Sequence, residues 1–176
     1  MPATNPPTEP AEQLQWLVDR EAIRNLVHDF AVRIDDKDQA AYAANFAEDG
    51  VLELPFGSFE GRARIAAMTG PPGHTITHHL IGEVVIELAG DTATTRSYMM
   101  ATHRFDPEKK SDKAHAGGWY EHEVVRTPEG WRFARVRLNE TWADERPMTP
   151  GAPGPGRPGG PGRPGGPGPA SPPPAQ

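Results

Sequence analysis

An aspartate and two histidines, far apart in the sequence, are the residues whose types point most directly to chemistry. Asp35 ends a long amphipathic segment, whereas His79 and His103 lie in later segments with strand-like patterns. A carboxylate bonded to an imidazole holds the ring in one tautomer and stabilises the imidazolium that forms when the ring takes a proton. Because an imidazole titrates near pH ~6.5, it can accept and return a proton at neutral pH. These residues could therefore form an acid/base site without a metal or a bound cofactor.

Two neighbouring histidines compete for the base position. His78 and His79 are adjacent, and adjacent residues of a strand point to opposite faces of its sheet. The alternation of apolar residues does not choose between them, because Ile76 and Leu80 flank one face while Ile81 lies on the other. From this pattern alone, either histidine could face a cavity.

The sequence context predicts different roles for the remaining histidines. His103 shares a predicted strand face with Met99, Ala101 and Phe105, as a residue of a pocket wall would, although a structural role near the strand end is an alternative. No local spacing of histidines supports a metal-ligand set, so we expect no metal site. Surface positions are expected for His74, His115 and His122.

Composition limits the class of protein. The 176 residues fit one domain, and the net charge of −6 disfavours a nucleic-acid partner, which requires clustered Lys and Arg. No cysteine is present, which excludes disulfides and thiolate chemistry and is compatible with a reducing cytoplasm. No segment has the length and apolarity of a signal peptide or a membrane span. We therefore expect a cytoplasmic protein that binds neither membrane nor nucleic acid.

The composition changes abruptly near Pro147. Pro and Gly make up 21 of the last 30 residues, with almost nothing apolar to offset the entropy of ordering. The sequence thus predicts a flexible N-terminus over residues 1–11, a folded domain over 12–146 and a disordered tail over 147–176.

The order of the predicted elements is helix, helix, strand, helix and then long strands. Apolar residues recur every three or four positions over residues 12–34, apart from one wider step. Asp38 can cap a second helix, and a short third helix fits residues 61–68. Strands are predicted at 51–56, 75–88, 92–105, 117–127 and 131–142, with a turn at Glu48-Asp49-Gly50 and a possible bulge at Gly82. This order indicates an α+β fold in which helices cover one face of a strongly curved antiparallel sheet.

Five segments resemble the SnoaL-like branch of the NTF2-like superfamily, which includes scytalone dehydratase, bile-acid 7α-dehydratase and ketosteroid isomerase. The resemblance covers about residues 13–142. The segments are Arg20-Glu21-Ala22-Ile23-Arg24-Asn25-Leu26, Ile34-Asp35-Asp36-Lys37-Asp38, Phe46-Ala47-Glu48-Asp49-Gly50, Thr77-His78-His79-Leu80-Ile81-Gly82 and Gly130-Trp131-Arg132-Phe133-Ala134.

The resemblance implies roles for individual residues. It selects His79 over His78 as the partner of Asp35, and it adds His103 as a second catalytic histidine. Ile34 and Leu54 stand where scytalone dehydratase carries tyrosines, which argues against scytalone itself as the substrate. Phe30 stands where the bile-acid dehydratase carries a tyrosine. Substrate-binding positions are expected at Phe30, Leu54, Tyr120 and Asn139.

The function implied is that of a small cofactor-independent lyase of the dehydratase type, acting on an apolar cyclic or aromatic molecule as a homodimer or homotrimer. An isomerase or a polyketide cyclase on the same scaffold is an alternative, because fold alone does not fix a reaction. A non-catalytic ligand-binding or dimerisation module, including one like the β-subunit of ring-hydroxylating dioxygenases, is the alternative from another class.

Overall fold

The computed structural model describes residues 6–68, 76–106, 108–109 and 111–144. Within these ranges lie three helices and six strands. In chain order they are α1 (Pro10–Asp36), α2 (Gln39–Ala44), β1 (Phe46–Leu54), β2 (Gly57–Glu60), α3 (Arg62–Met68), β3 (Ile76–Ala89), β4 (Thr92–Arg104), β5 (Lys113–Thr127) and β6 (Gly130–Ala143).

The strands form one sheet in the order β2-β1-β6-β5-β4-β3. Strands β3 to β6 pair as consecutive antiparallel neighbours, joined by turns in which Gly90 and Gly130 take positive φ. The expected α+β architecture is confirmed, but the sheet is mixed, because β1 runs parallel to β6. Strand β1 lies between β2 and β6, and it pairs antiparallel with β2 and parallel with β6.

The expected turn at Glu48-Asp49-Gly50 is wrong, since these residues belong to β1. The register of β1 against β6 shifts between Phe46 and Val51, so the segment is irregular rather than a reversal. A Cβ on Gly50 would lie 2.9 Å from the carbonyl oxygen of Phe133, so the glycine allows the two backbones to approach closely. The reversal occurs later, at Pro55 and Phe56, and it adds the unpredicted strand β2.

Helix α1 packs its apolar stripe on the concave face of the sheet. Ile23, Val27 and Phe30 are almost fully buried, at the three- and four-residue spacing of one helix face. Phe30 contacts an aromatic cluster drawn from α2, β1, β5 and β6, which comprises Tyr42, Phe46, Tyr120 and Phe133.

The N-terminal half of α1 is fixed to the sheet by an ion pair. Asp19 is buried and accepts two hydrogen bonds from Arg126, at 2.9 and 2.7 Å, and one from the indole of Trp131 at 3.1 Å. The Arg126 guanidinium holds the pKa of Asp19 below its usual value. This contact fixes the direction of α1 and therefore where its C-terminus meets the sheet.

The predicted bulge at Gly82 is confirmed, because the register of β3 on β4 shifts between Ile81 and Val84. Strand β5 starts at Lys113, four residues before the predicted start, and α1 extends to Asp36. The predicted tail and His74 lie outside the described residues. No helix in the part of the chain that the structure describes combines the length and apolarity needed to cross a bilayer.

Candidate active site

Asp35 lies in the last turn of α1, close to where the helix stops. The helix ends because Lys37 takes a left-handed conformation, with φ 61° and ψ 27°, and its backbone N–H is bonded to the carbonyls of Arg33 and Ile34. A carboxylate near a helix C-terminus is locally unfavourable, because the last carbonyls carry partial negative charge. Asp35 therefore needs hydrogen-bond donors from elsewhere in the fold.

Strand β3 supplies these donors. His79 pairs with Ala101 of β4, and Thr77 pairs with His103, which places all of these side chains on one face of the sheet. The His79 side chain is only 6% exposed, whereas His78 is exposed on the other face. The choice of His79 over His78, which alternation left open, therefore agrees with the geometry.

Both carboxylate oxygens of Asp35 are occupied by β3. Oδ1 lies 2.7 Å from Nδ1 of His79 and accepts a hydrogen bond from the Thr77 hydroxyl at 2.8 Å. Oδ2 accepts from the backbone N–H of His79, also at 2.8 Å. The side chain and the backbone of one residue thus clamp the carboxylate in a single orientation.

The electrostatics of this clamp fix the direction of its hydrogen bonds. Burial raises the pKa of Asp35, but the hydrogen bonds and charge of His79, with the bond from Thr77, outweigh it and bring the pKa to about 2. An ionised carboxylate has no proton to give, so Nδ1 of His79 must donate. The Nε2 atom of a neutral His79 is then the unprotonated atom that can act as a base.

The second histidine lies beside the first. The rings of His79 and His103 meet edge to face, with centroids 5.6 Å apart. Next to them on the same face of β4, Ala101 and Met99 are buried. The structure therefore brings Asp35, His79 and His103 together in a largely apolar environment.

Tyr120 links this group to the aromatic cluster. It is buried and packs edge to face on Phe30, with ring centroids 5.4 Å apart. Burial raises the pKa of Tyr120, and the negative charge of Asp35 raises it further. The phenol consequently keeps its proton at neutral pH and is a hydrogen-bond donor near the carboxylate.

The other two expected substrate-binding residues differ in position. Leu54 is half-buried against the core at the end of β1. Asn139 pairs with Trp119, next to the Tyr120–Leu138 pair, and therefore lies on the face of the sheet opposite to Tyr120. The structure does not bring Asn139 to the acid/base group, and the expectation that it binds substrate there does not follow from its position.

The expectation of a surface position for His122 is wrong. This residue is 1% exposed, and its ring stacks on Phe133 with centroids 5.0 Å apart. Burial lowers the pKa of His122 to about 3, against the opposing effect of a hydrogen bond with the backbone of Thr95. His122 is therefore a neutral core residue, and the alternation of Tyr120, His122 and Val124 was the signal for its burial.

Two residues of the site were not predicted, Thr77 and Lys37. The Lys37 ammonium lies 2.6 Å from the Thr77 hydroxyl oxygen and 3.1 Å from the carbonyl oxygen of Ile34. The available signals were spacings of two residues, from Thr77 to His79 along one strand face and from Asp35 to Lys37 around the helix end. Across the described ranges, no group of three or more His, Cys, Asp or Glu residues is arranged to hold a metal ion.

Comparison with known proteins identifies the family. The family model of the SnoaL-like domain matches residues 15–137. The chain belongs to this family. The neighbouring folds also confirm the NTF2-like superfamily, since a solved NTF2-like protein with a cystatin-like fold from Novosphingobium aromaticivorans is 28% identical, with a TM-score of 0.65, over 74% of this chain and 87% of that one.

Two further relatives extend the comparison of this SnoaL-like protein. A solved structure from Novosphingobium aromaticivorans, provisionally named a scytalone dehydratase, is 26% identical with a TM-score of 0.68 and covers 80% of this chain and 95% of that one. Rv2910c of Mycobacterium tuberculosis, an uncharacterized protein, is 26% identical over 123 residues, which are 66% of this chain and 82% of the relative. These matches support the family and the fold.

Proposed function

We propose that this SnoaL-like protein is a cofactor-independent acid/base enzyme, a lyase of the dehydratase type that acts on an apolar cyclic or aromatic small molecule. The single observation that carries the proposal is the contact between Asp35 and His79. An ionised carboxylate held against Nδ1 of a 6% exposed imidazole is the arrangement that a general base requires. A module that only binds ligand has no need for it.

The proposed reaction begins at Nε2 of His79. This atom takes a proton from a carbon next to a carbonyl group, and the electron pair of the broken C–H bond forms a C=C bond as the β C–O bond breaks. His103, in its protonated form, gives a proton to the departing hydroxyl group, so that water leaves. The carboxylate of Asp35 stabilises the imidazolium formed on His79. The cycle closes when His79 loses this proton to solvent and His103 takes one up from solvent.

The surroundings support the proposed substrate class. Phe30, Met99 and Ala101 are buried apolar residues near the acid/base group, and they suit a ring with few polar atoms. The protonated Tyr120 would donate a hydrogen bond to a substrate oxygen and stabilise negative charge as an enolate develops. The relative provisionally named a scytalone dehydratase adds support for dehydration.

An isomerase would use the same first step and return the proton to another carbon. The products formed after this shared step separate the two chemistries. Cyclic β-hydroxy ketones and cyclic enones are incubated with the protein in D₂O. Proton NMR follows deuterium uptake next to the carbonyl and the position of the double bond, while mass spectrometry follows loss of water. A dehydratase eliminates water from the hydroxy ketone, an isomerase shifts a double bond in an enone, and a binding module does neither.

Three variants test the assignment of the base. His79→Ala should reduce turnover by about 10² to 10⁴, the usual range for a general acid/base residue. His78→Ala is the matched control, because it removes an imidazole from the next position of the same strand on the exposed face. His103→Gln should impair elimination of water more than deuterium exchange. Equal activity of His79→Ala and His78→Ala would refute the proposal.

A further inference from the structure

Lys37 occupies a backbone conformation that does not suit its residue type. Its φ of 61° lies in the left-handed region, which glycine adopts without strain and which asparagine tolerates. The backbone at this position disfavours lysine, so the contacts of its side chain are what could offset the cost. That side chain reaches 40 residues along the sequence, to Thr77 of β3, rather than into solvent.

The chemistry of the two donors sets the direction of a hydrogen-bond chain. A lysine ammonium has three donors and no acceptor, so the Thr77 oxygen must accept in its 2.6 Å contact with Lys37. The single Thr77 proton is then directed at the other neighbour, Oδ1 of Asp35 at 2.8 Å. The chain therefore runs from Lys37 through Thr77 to Asp35, which also receives the two bonds from His79.

We propose that Lys37 and Thr77 are positioning residues of the acid/base site, which orient Asp35 and keep it ionised so that His79 is held in the tautomer with a free Nε2. The proposal deepens the proposed function and rests on it for its catalytic consequence. Neither residue contacts the reacting atoms. Both act through Asp35.

The charge distribution supports this assignment. Burial lowers the pKa of Lys37, while the charge of Asp35 opposes that effect and favours the ammonium form. In return, the ammonium compensates for the negative end of α1, where its contact with the Ile34 carbonyl also lies. A role limited to capping the helix would account for the Ile34 contact but not for the direction of the Thr77 hydroxyl.

The test measures the carboxyl group of Asp35 directly. Carbon NMR gives its pKa in the full-length protein, and the pH dependence of the unfolding free energy between about pH 4 and about pH 2 gives the same quantity by linkage. Thr77→Val removes the hydroxyl at nearly constant shape and should raise the pKa of Asp35 by about one pH unit. Thr77→Ser keeps a hydroxyl and should restore the wild-type pKa. Thr94→Val, on the exposed face of β4, is the matched control and should have no effect.

Two substitutions of Lys37 separate positioning from capping. Lys37→Gly relieves the left-handed conformation, so the melting temperature should hold or rise, while the pKa of Asp35 rises as it does in Lys37→Met. With a substrate in hand, Thr77→Val and Lys37→Met should lower kcat about tenfold and leave KM within about twofold, since misplacing a catalytic group costs rate rather than binding.

The outcomes distinguish this proposal from the proposed function. An unchanged pKa of Asp35 in Thr77→Val, or a Thr77→Ser variant that behaves like Thr77→Val, would overturn the positioning role. A melting temperature that falls in Lys37→Gly with no change at Asp35 would reduce Lys37 to a helix cap. Full activity of His79→Ala would instead refute the acid/base reaction, while the carboxyl titrations would still show that the chain orients Asp35.

Discussion

Asp35→Asn changes one atom of the site and should disable it. In the wild-type structure both carboxylate oxygens accept, Oδ1 from the Thr77 hydroxyl and from Nδ1 of His79, and Oδ2 from the backbone N–H of His79. An asparagine offers one acceptor and one donor in these places. If its amide nitrogen faces the backbone N–H, two donors oppose each other across 2.8 Å.

The opposite orientation fails for a different reason. The amide nitrogen then faces the Thr77 hydroxyl and Nδ1 of His79, so that Nδ1 must accept and the ring proton moves to Nε2, the atom needed as a base. Either orientation leaves one conflict between donors, worth about 1 to 3 kcal/mol of folding stability. The first orientation loses the carboxylate charge that stabilises the imidazolium, and the second loses the correct tautomer, so turnover should fall by about 10² to 10⁴ in either case.

Two assays check this prediction. Nitrogen NMR distinguishes the tautomers of the His79 ring at neutral pH, and the hydrogen exchange or elimination assay gives the rate. Asp36→Asn is the matched control, since it removes the same charge from the next, exposed residue of α1. Nδ1 keeps the proton in the first orientation and loses it in the second, so the NMR result identifies the orientation. The reasoning is refuted if Asp35→Asn stays within about threefold of the wild-type rate.

Three further outcomes follow from the geometry. Asp35 has a pKa of about 2 in the fold against an ordinary 3.8, so the unfolded chain binds more protons between these pH values. About 2 kcal/mol of unfolding free energy, fully present above about pH 4, should therefore be lost as the pH falls to about 2. Denaturant titrations should show that Asp35→Asn removes this pH dependence. Asp19→Asn breaks a buried bidentate bond to Arg126 and should lower the unfolding free energy by about 2 to 3 kcal/mol, whereas a change below about 0.5 kcal/mol would contradict the anchoring of α1. Leu80 and Met100 are directly paired on the outer face of the sheet and are 59% and 53% exposed. We therefore expect light scattering to show a homodimer or homotrimer, which Leu80→Glu converts to a monomer. A wild-type monomer at micromolar concentration would argue against this expectation.

The parts of the fold that follow from periodicity were predictable. The stripe of Ile23, Val27 and Phe30 identifies α1, and the long alternating segments identify β3 to β6. The parallel pairing of β1 with β6 was not predictable, because Glu48-Asp49-Gly50 has the composition of a turn. Whether Gly50 reverses the chain or allows close contact with Phe133 depends on a strand that lies far along the sequence.

Only part of the candidate site was likewise predictable from the sequence. The pairing of Asp35 with His79 was expected only through the family resemblance, since local alternation left His78 and His79 equivalent. The position of Asn139 depended on strand register, and a shift of one residue exchanges the two faces of a strand. The spacing of two residues between Thr77 and His79 indicates a shared strand face but not the role of Thr77, because that role depends on a lysine 40 residues away.

Each member of the site is unfavourable where the local chain puts it and is stabilised only by a distant one. Asp35 lies at the negative end of a helix, Lys37 has a backbone conformation suited to glycine, and the ring of His79 is withdrawn from water. The contacts that offset these costs join residues 40 to 44 positions apart, across the junction of α1 and β3. Local sequence preferences therefore do not form the site, and it should assemble only when α1 docks on the sheet. A substitution that loosens this docking without touching the site, such as Asp19→Asn, should consequently reduce turnover as well as stability, because the carboxylate and the imidazole are carried by the two elements that separate.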